Sequence, residues 1–204
     1  DSCEAAFQGS ERTCIAQIYR GKTMGSEKSA QYYDQIYSKR DQEGAYKADP
    51  RDTEFYGELW FEAAKLVPSG HTVIDIGCGP GEFAAVFRDM RPEPYVGYDF
   101  SQAATSVAKR RNLPECDFFV TSAENVNLHK FNSPCFICLE VLEHIEDDKT
   151  LLEKIGAEST LIFSVPTFDS PGHVRWFGTA SEVIKRYGSI LPHIKHVHSI
   201  NVRN

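Results

Sequence analysis

Apolar residues recur along the chain in two patterns, short continuous runs and longer stretches at helical spacing. Short runs are typical of strands buried on both faces of a parallel sheet, and helical spacing is typical of amphipathic helices. The predicted strands cover residues 71–77, 95–99, 116–121, 134–141, 159–166 and 195–202. The predicted helices beyond residue 50 cover residues 55–67, 81–90, 102–111, 146–156 and 179–188. Because strands alternate with helices, the pattern predicts an α/β fold with a doubly wound, mostly parallel sheet and helices on both faces.

The chain divides at Asp49-Pro50, where the proline interrupts regular structure. Its 204 residues fit one domain with an arm, so we assign residues 1–48 to an N-terminal arm and residues 49–204 to the main domain. We expect residues 1–23 to be poorly ordered, because they are polar and lie at a chain terminus.

The second half of the arm, residues 26–48, is rich in tyrosine. Tyr33 and Tyr37 are four positions apart, which places both rings on one face of a helix. Such a helix either packs its aromatic residues on the surface of the core or forms a lid over a ligand site. In the second case, Tyr33 would act near the reacting groups.

Composition and charge exclude several classes of protein. The formal net charge of −7, from 22 Lys and Arg against 29 Asp and Glu, argues against a nucleic-acid partner, since that partner needs a basic face. No apolar run approaches the ~18–20 residues of a membrane-spanning helix, so we expect a cytoplasmic protein without a membrane span. Cys135 and Cys138 lie on a predicted strand at i and i+3, on opposite faces, so we expect buried reduced thiols.

Candidate chemistry begins at residues 73–81, which predict a strand, a glycine turn and the start of a helix. Gly77, Gly79 and Gly81 allow a sharp turn and let a ligand approach the backbone without meeting a Cβ atom. Free backbone N–H groups and the positive end of the helix then face the carboxyl edge of the sheet, where nucleotide-like ligands bind.

The spelling Asp75-Ile-Gly77-Cys78-Gly79-Pro-Gly81 resembles motif I of the class I methyltransferases that use S-adenosylmethionine (SAM) and release S-adenosylhomocysteine (SAH). The resemblance covers about residues 55–204 and implies a Rossmann-like sheet. It implies that Asp75, Gly77, Cys78, Gly79 and Gly81 contact the cofactor.

Two further strand ends extend the predicted cofactor site. Asp99 follows Asp75 by 24 positions and ends the second strand, where a carboxylate can accept both ribose hydroxyls, and Phe100 can lie on the adenine. The third strand ends in Ser122-Ala123-Glu124, where the family often has Asp-Ala-Glu, so a backbone contact to adenine is expected.

The fourth strand leads into Leu139-Glu140-Val-Leu-Glu-His144, which resembles motif IV of the same family, especially quinone-biosynthetic methyltransferases and their relatives. The resemblance implies that the backbone near Leu139 and Glu140 holds the amino group of the cofactor. We predict methyl transfer to a small or medium organic acceptor, with oxygen favoured over nitrogen or carbon, and no bound metal. His144 and His173 are the candidate bases, since histidine titrates near neutral pH, and either one can instead be structural.

Two other functions use the same residues. Glu140, Glu143, His144 and a histidine after the fifth strand resemble the metal-binding set of small-RNA ribose 2′-O-methyltransferases, and such ligands suit a divalent ion. Alternatively, the protein is a non-catalytic SAM-binding scaffold, and the fold by itself does not distinguish such a scaffold from an enzyme.

The family also implies a final antiparallel strand in a hairpin, but only one strand is predicted after residue 190. The oligomeric state does not follow from these patterns.

Overall fold

The structure is a computed structural model that describes residues 12–17, 25–52, 56–131, 133–155, 159–192 and 194–200. For residues 12–17, 129 and 195–200 only the backbone is described. The strands are β1 Arg12–Gln17, β2 Thr72–Ile76, β3 Tyr95–Asp99, β4 Cys116–Val120, β5 Pro134–Cys138, β6 Thr160–Pro166 and β7 Ile194–Ile200. The α-helices are α1 Ala30–Gln42, α2 Gly57–Leu66, α3 Glu82–Met90, α4 Gln102–Arg110, α5 Asp148–Ile155 and α6 Ala180–Tyr187.

The seven strands form one sheet in the order β4-β3-β2-β5-β6-β1-β7, and every described pairing is parallel. The chain runs outward from β2 to β4 and then returns to place β5 beside β2 on the other side. This reversal of strand order confirms the doubly wound α/β fold. It also opens a crevice between the carboxyl ends of β2 and β5, where such sheets bind ligands.

Alternating side chains of each strand feed two hydrophobic cores on opposite faces of the sheet. Val73 of β2 packs with α2 and α3, whereas the next residue, Ile74, packs with α5 and α6. The same alternation separates Cys135 from Cys138, which lie in different cores as free thiols, as the sequence predicted. The two layers of helices therefore hold the strand ends in fixed positions.

Local sequence signals account for the helix boundaries. Ser101 begins α4, and its hydroxyl oxygen accepts a hydrogen bond from the Ala104 N–H at 3.1 Å. Thr179 begins α6 in the same way, accepting from the Glu182 N–H at 3.3 Å. These caps satisfy backbone donors that lack a partner in the first turn of a helix.

The structure differs from the sequence prediction at the two ends of the chain. Residues 12–17, predicted to be poorly ordered, form β1 and pair with both β6 and β7, so part of the arm belongs to the sheet. Residues 1–11, 18–24 and 201–204 lie outside the described residues. The single strand predicted after residue 190 is present as β7, but its neighbour is the parallel β1 and not the antiparallel partner that the family implies.

Strand β5 is shorter than predicted, ending at Cys138 and not at residue 141. Glu140 follows in a left-handed conformation with φ of +56°, which is incompatible with an extended strand. The chain therefore turns out of the sheet at this point. This turn brings residues 140–145 to the crevice beside β2.

Candidate functional site

The glycine turn between β2 and α3 has the conformation that only glycine adopts freely. The φ angles of Gly77, Gly79 and Gly81 are +79°, +53° and +72°. Gly77 also lies against the segment after β5, where an added Cβ would stand 2.3 Å from Val141 Cγ2. A side chain at position 77 would therefore push apart the two segments that meet at the reversal of strand order.

Asp99, at the end of β3, fixes the neighbouring turn. Its Oδ2 accepts a hydrogen bond from the Gly79 N–H at 2.9 Å, and its Oδ1 accepts from the Ser101 N–H at 2.8 Å. The carboxylate is buried, and burial raises its pKa to about 6 although the two N–H groups act in the opposite direction. Each oxygen keeps a lone pair for a further donor, so the carboxylate can still bind hydroxyl groups of a ligand.

A cavity of about 160 Å³ opens at the crevice between β2 and β5. It is lined by the following residues that the sequence predicted: Tyr33, Gly77, Asp99, Phe100, Ser122, Ala123, Glu124, Glu140 and His144. It is also lined by residues that were not predicted to line the site: Glu27, Lys28, Tyr37, Tyr98, Thr121, Val141 and Ile145.

The sequence could have indicated part of this second group. Thr121 and Val141 are next to predicted site residues, and Tyr37 lies one helical turn after Tyr33. Glu27 and Lys28 precede α1 and carry no motif, so their position depends on the path of the arm alone.

The remaining predicted cofactor residues, Asp75, Cys78, Gly79, Gly81 and Leu139, do not line the cavity. Asp75 is buried beneath the turn, because alternation along β2 directs it into the core that contains α3. Its carboxylate accepts a hydrogen bond from the Tyr95 hydroxyl, and burial raises its pKa to about 7. Asp75 can therefore act on a ligand only indirectly, through the turn above it.

On the other side of the cavity, His144 contacts Tyr33 of α1. The His144 Nδ1 lies 2.9 Å from the Tyr33 hydroxyl oxygen and 3.0 Å from the Gly172 carbonyl oxygen. A carbonyl can only accept a hydrogen bond, so we assign the ring proton to Nδ1. Burial lowers the pKa of His144 to about 4. At neutral pH, the imidazole is therefore uncharged and carries a free lone pair on Nε2.

Behind His144 lies a buried cluster that joins three residues of the metal-binding set considered as an alternative from the sequence. The rings of His144 and His173 are 4.8 Å apart, and His173 Nδ1 lies 3.1 Å from the Phe168 carbonyl oxygen. Glu143 is fully buried, and neither of its carboxyl oxygens has a hydrogen-bond partner among the described residues. One ligand atom from each of Glu143, His144 and His173 lies within 4.8 Å of the others.

Burial sets the charge of this cluster. It raises the pKa of Glu143 well above the usual value, with a further contribution from Glu140, and it lowers the pKa of His173. His144 Nε2 and Glu143 Oε1 are 3.7 Å apart, but with a neutral imidazole this contact is not an ion pair. One carboxyl group and two imidazoles so close together can also bind a divalent ion.

The loop at residues 167–178 supports the site from outside the cavity, which it does not line. The Arg175 guanidinium donates to the carbonyl oxygens of Leu142, Ile145 and Glu146 and forms an ion pair with the buried Asp148 at 3.2 Å. Its charge is therefore used to hold the segment after β5. His173 reaches the cavity only through its contact with His144.

Comparisons with known proteins identify the family of this chain. The methyltransferase domain family matches residues 50–203 of the chain. A ubiquinone biosynthesis O-methyltransferase of Xanthomonas axonopodis pv. citri (strain 306) is 26% identical over 98 residues, which is 46% of this chain and 41% of that protein. The match therefore spans less than half the length of this relative.

Solved structures share the fold at low sequence identity. The [4+2]-cyclase SpnF aligns with a TM-score of 0.60 at 14% identity, over 82% of this chain and 75% of that one. The plantazolicin methyltransferase BpumL, in complex with SAH, aligns with a TM-score of 0.51 at 22% identity, over 79% and 61%. The YcgJ protein of Bacillus subtilis aligns with a TM-score of 0.52 at 18% identity, over 65% and 66%. At these identities the likeness concerns the fold alone.

None of the helices in the described part of the chain has the length and apolar character of a membrane span.

Proposed function

Because the chain belongs to the class I SAM-dependent methyltransferases, we propose that it transfers a methyl group from SAM to a hydroxyl group of a small or medium organic molecule. The observation that carries the proposal is one cavity that joins two different sides. Asp99 and Gly77, at the start of the glycine turn, line one side, and the uncharged His144 with Tyr33 lines the other. A donor and an acceptor can therefore meet between them.

The residues on the first side suit SAM. Asp99 presents a carboxylate to the cavity beside Phe100, which fits a ribose next to an adenine ring. Gly77 packs against Val141, where an added Cβ would collide, and it also lines the cavity. Glu140 faces the same cavity and can bind the amino group of the cofactor.

The residues on the second side orient the acceptor and remove its proton. When bound, SAM supplies a methyl group already activated by the sulfonium, so the protein mainly aligns the reacting groups. The proton on His144 Nδ1 faces both Gly172 and Tyr33, which leaves the Tyr33 hydroxyl hydrogen free to orient an acceptor oxygen. Nε2 of His144 is the unprotonated nitrogen that can take up the proton of the acceptor.

The preference for oxygen and for a small acceptor has separate support. The curated relative is described as an O-methyltransferase of ubiquinone biosynthesis, and one structural neighbour methylates plantazolicin. The net charge of −7 disfavours a nucleic-acid acceptor.

A cytoplasmic location is compatible with the free thiols of Cys78, Cys116, Cys135 and Cys138, since the cytoplasm is reducing.

The proposal is tested by incubating the full chain with methyl-labelled SAM and a library of phenols, sugar hydroxyls, amines and carbon acids. We expect label transfer to a hydroxyl compound. Transfer to an amine or a carbon acid would correct the acceptor class. SAM binding without transfer to any library member would favour a non-catalytic scaffold, and the description of SpnF as a cyclase shows that this fold serves other reactions.

A second candidate function is metal-supported methyl transfer, as in the RNA ribose 2′-O-methyltransferases. It is favoured by the unpartnered carboxyl of Glu143 beside the free ring nitrogens of His144 and His173. One carboxylate and two imidazoles suit a borderline divalent ion such as Zn²⁺, Mn²⁺ or Co²⁺. An ion held there would act on an acceptor hydroxyl close to His144. Glu140, whose Oε1 accepts a hydrogen bond from the Ser164 hydroxyl at 2.8 Å, is not one of these three clustered residues.

Chelation separates the two candidates. Dialysis against EDTA is expected to leave turnover unchanged under the first proposal, in keeping with the predicted absence of a metal. Loss of activity that Mn²⁺ or Co²⁺ restores, together with His173→Ala abolishing metal binding in calorimetry, would establish the second.

A further inference from the structure

The arm helix α1 is attached to α4 by a carboxylate that lies between its two cavity-lining tyrosines. Asp34 Oδ1 accepts hydrogen bonds from the Ser101 hydroxyl at 2.6 Å and from the Ala103 N–H at 3.0 Å. The first turn of a helix carries unpaired N–H donors and a partial positive charge, so it favours a carboxylate. Asp34 thus provides a second cap to α4, contributed by a residue 67 positions away in the sequence.

The same turn binds the carboxylate assigned to the ribose. Ser101 donates its backbone N–H to Asp99 and its hydroxyl to Asp34. Asp99 in turn accepts from the Gly79 N–H. A continuous chain of hydrogen bonds therefore links the arm helix, through Ser101 and Asp99, to the glycine turn.

Asp34 also fixes the rotation of α1 about its own axis. Tyr33 precedes it, with its ring 5.3 Å from that of Phe100 and its hydroxyl against His144. Tyr37 follows by almost one turn, and its hydroxyl oxygen lies 3.5 Å from the position of a Cβ on Gly79. Because all three residues are on one short helix, the hydrogen bonds of Asp34 determine where both tyrosine rings stand in the cavity.

We propose that Asp34 is a positioning residue that holds the arm helix α1 closed over SAM. It does so by binding the first turn of α4, which also binds Asp99, the carboxylate assigned to the ribose. A ligand on Asp99 stabilises the turn, and the turn holds Asp34. Occupation of the cofactor side therefore favours closure of the helix, and closure slows release of the cofactor. This inference uses the family's cofactor and does not depend on the identity of the acceptor.

The experiment measures the dissociation rate of SAH from the full chain by stopped-flow displacement, so that no acceptor is needed. Asp34→Ala is expected to speed dissociation by about tenfold, the size of a lost charge-assisted hydrogen bond. Asp34→Asn keeps an Oδ1 acceptor and is expected to stay within about threefold of wild type. The matched control is Asp41→Ala, which removes an exposed ion pair of 2.6 Å to Arg110 between the same two helices and is expected to change the rate by less than about twofold.

Hydrogen exchange gives a second measure of closure. SAH is expected to slow amide exchange in residues 30–42 of wild type and of Asp41→Ala, but not of Asp34→Ala. Asp34→Glu retains the charge and moves the carboxylate by one methylene, so it should fold as wild type does and still release SAH faster. Equal dissociation rates for Asp34→Ala and Asp41→Ala, or an Asp34→Asn rate equal to that of Asp34→Ala, would overturn this inference but not the cofactor assignment. A wild-type chain that does not bind SAH would overturn the cofactor assignment itself.

Discussion

At the scale of single residues, Asp99 has both the position and the charge that a cofactor site needs. Asp99→Ala removes a carboxylate that can accept two hydroxyl hydrogen bonds, and charged hydrogen bonds contribute about 1.5–3 kcal/mol each. We therefore expect SAM affinity, measured by calorimetric titration at pH 8, to fall at least about tenfold. Asp117→Ala, which removes an exposed carboxylate on the neighbouring β4, is the control and should leave affinity unchanged. Equal affinity in all three proteins would remove Asp99 from the site.

The pKa of Asp99 adds a pH dependence to this prediction. Burial raises it to about 6, so the carboxylate is fully ionised only above about pH 7 and becomes protonated as the pH falls through 6. SAM affinity is expected to decrease over that interval in wild type and to decrease less in Asp99→Asn, because burial also raises the pKa of Asp75 and of Glu140 and these groups still titrate. His144, with a pKa of about 4, remains neutral over the same interval and does not contribute.

A second residue-scale prediction concerns Tyr33. Tyr33→Phe removes the hydroxyl that contacts His144 at 2.9 Å and keeps the ring against Phe100. We expect turnover to fall by about tenfold to a hundredfold while SAM affinity changes little, since a group that orients the acceptor contributes mainly to the reaction step. Tyr32→Phe alters the adjacent hydroxyl on the same helix and serves as the control. Parallel losses of turnover and SAM affinity would place Tyr33 on the cofactor side instead.

At the scale of elements, the stability of the unit formed by β2, the glycine turn and α3 depends on the left-handed backbone of Gly77 and on its close contact with Val141. Gly77 and Gly70 share a φ of +79°, but an added Cβ at position 70 meets nothing within 4 Å, whereas at position 77 it meets Val141. Gly70→Ala is expected to lower the free energy of unfolding by about 1–2 kcal/mol, the cost of a left-handed residue with a Cβ. Gly77→Ala should cost about 1–3 kcal/mol more, because of overpacking.

Urea denaturation measures both changes. The double variant Gly77→Ala with Val141→Ala should recover part of the difference, since it removes the atoms that collide. If Gly77→Ala and Gly70→Ala prove equally stable, the segments after β2 and β5 are further apart than the structure shows.

At the scale of the whole molecule, the sheet depends on a strand from the distant N-terminal arm. β1 is the described link between β6 and β7, with pairings such as Ile15 to Ser164 on one side and Ile15 to His198 on the other. Ile15→Pro removes a backbone N–H in a strand that is paired on both sides, so it should lower the free energy of unfolding by on the order of 2 kcal/mol or more. Ile15→Val keeps the N–H and the branched side chain, and should cost less than Ile15→Pro. Equal stability of the two variants would show that the sheet does not need β1.

Patterns within short stretches determined most of the fold. The strands from β2 to β7 and the helices from α2 to α6 follow from apolar runs, helical spacing and caps such as Ser101 and Thr179, because each of these signals acts over a few neighbouring residues. Gly77 and Asp99 were likewise identified from their positions at strand ends. The reversal of strand order then brought both to the same cavity, as a parallel sheet requires.

The tertiary structure alone decided the rest, since it joins residues that no local pattern relates. Tyr33 and His144 are 111 positions apart, and neither neighbourhood in the sequence indicates their contact. β1 carries only six residues of weak pattern, and its place depends on backbone hydrogen bonds to β6 and β7. The sequence by itself predicted a SAM site at the glycine turn and Asp99. Burial and long-range contact decided which groups line the cavity, which carry charge, and where the arm helix lies against it.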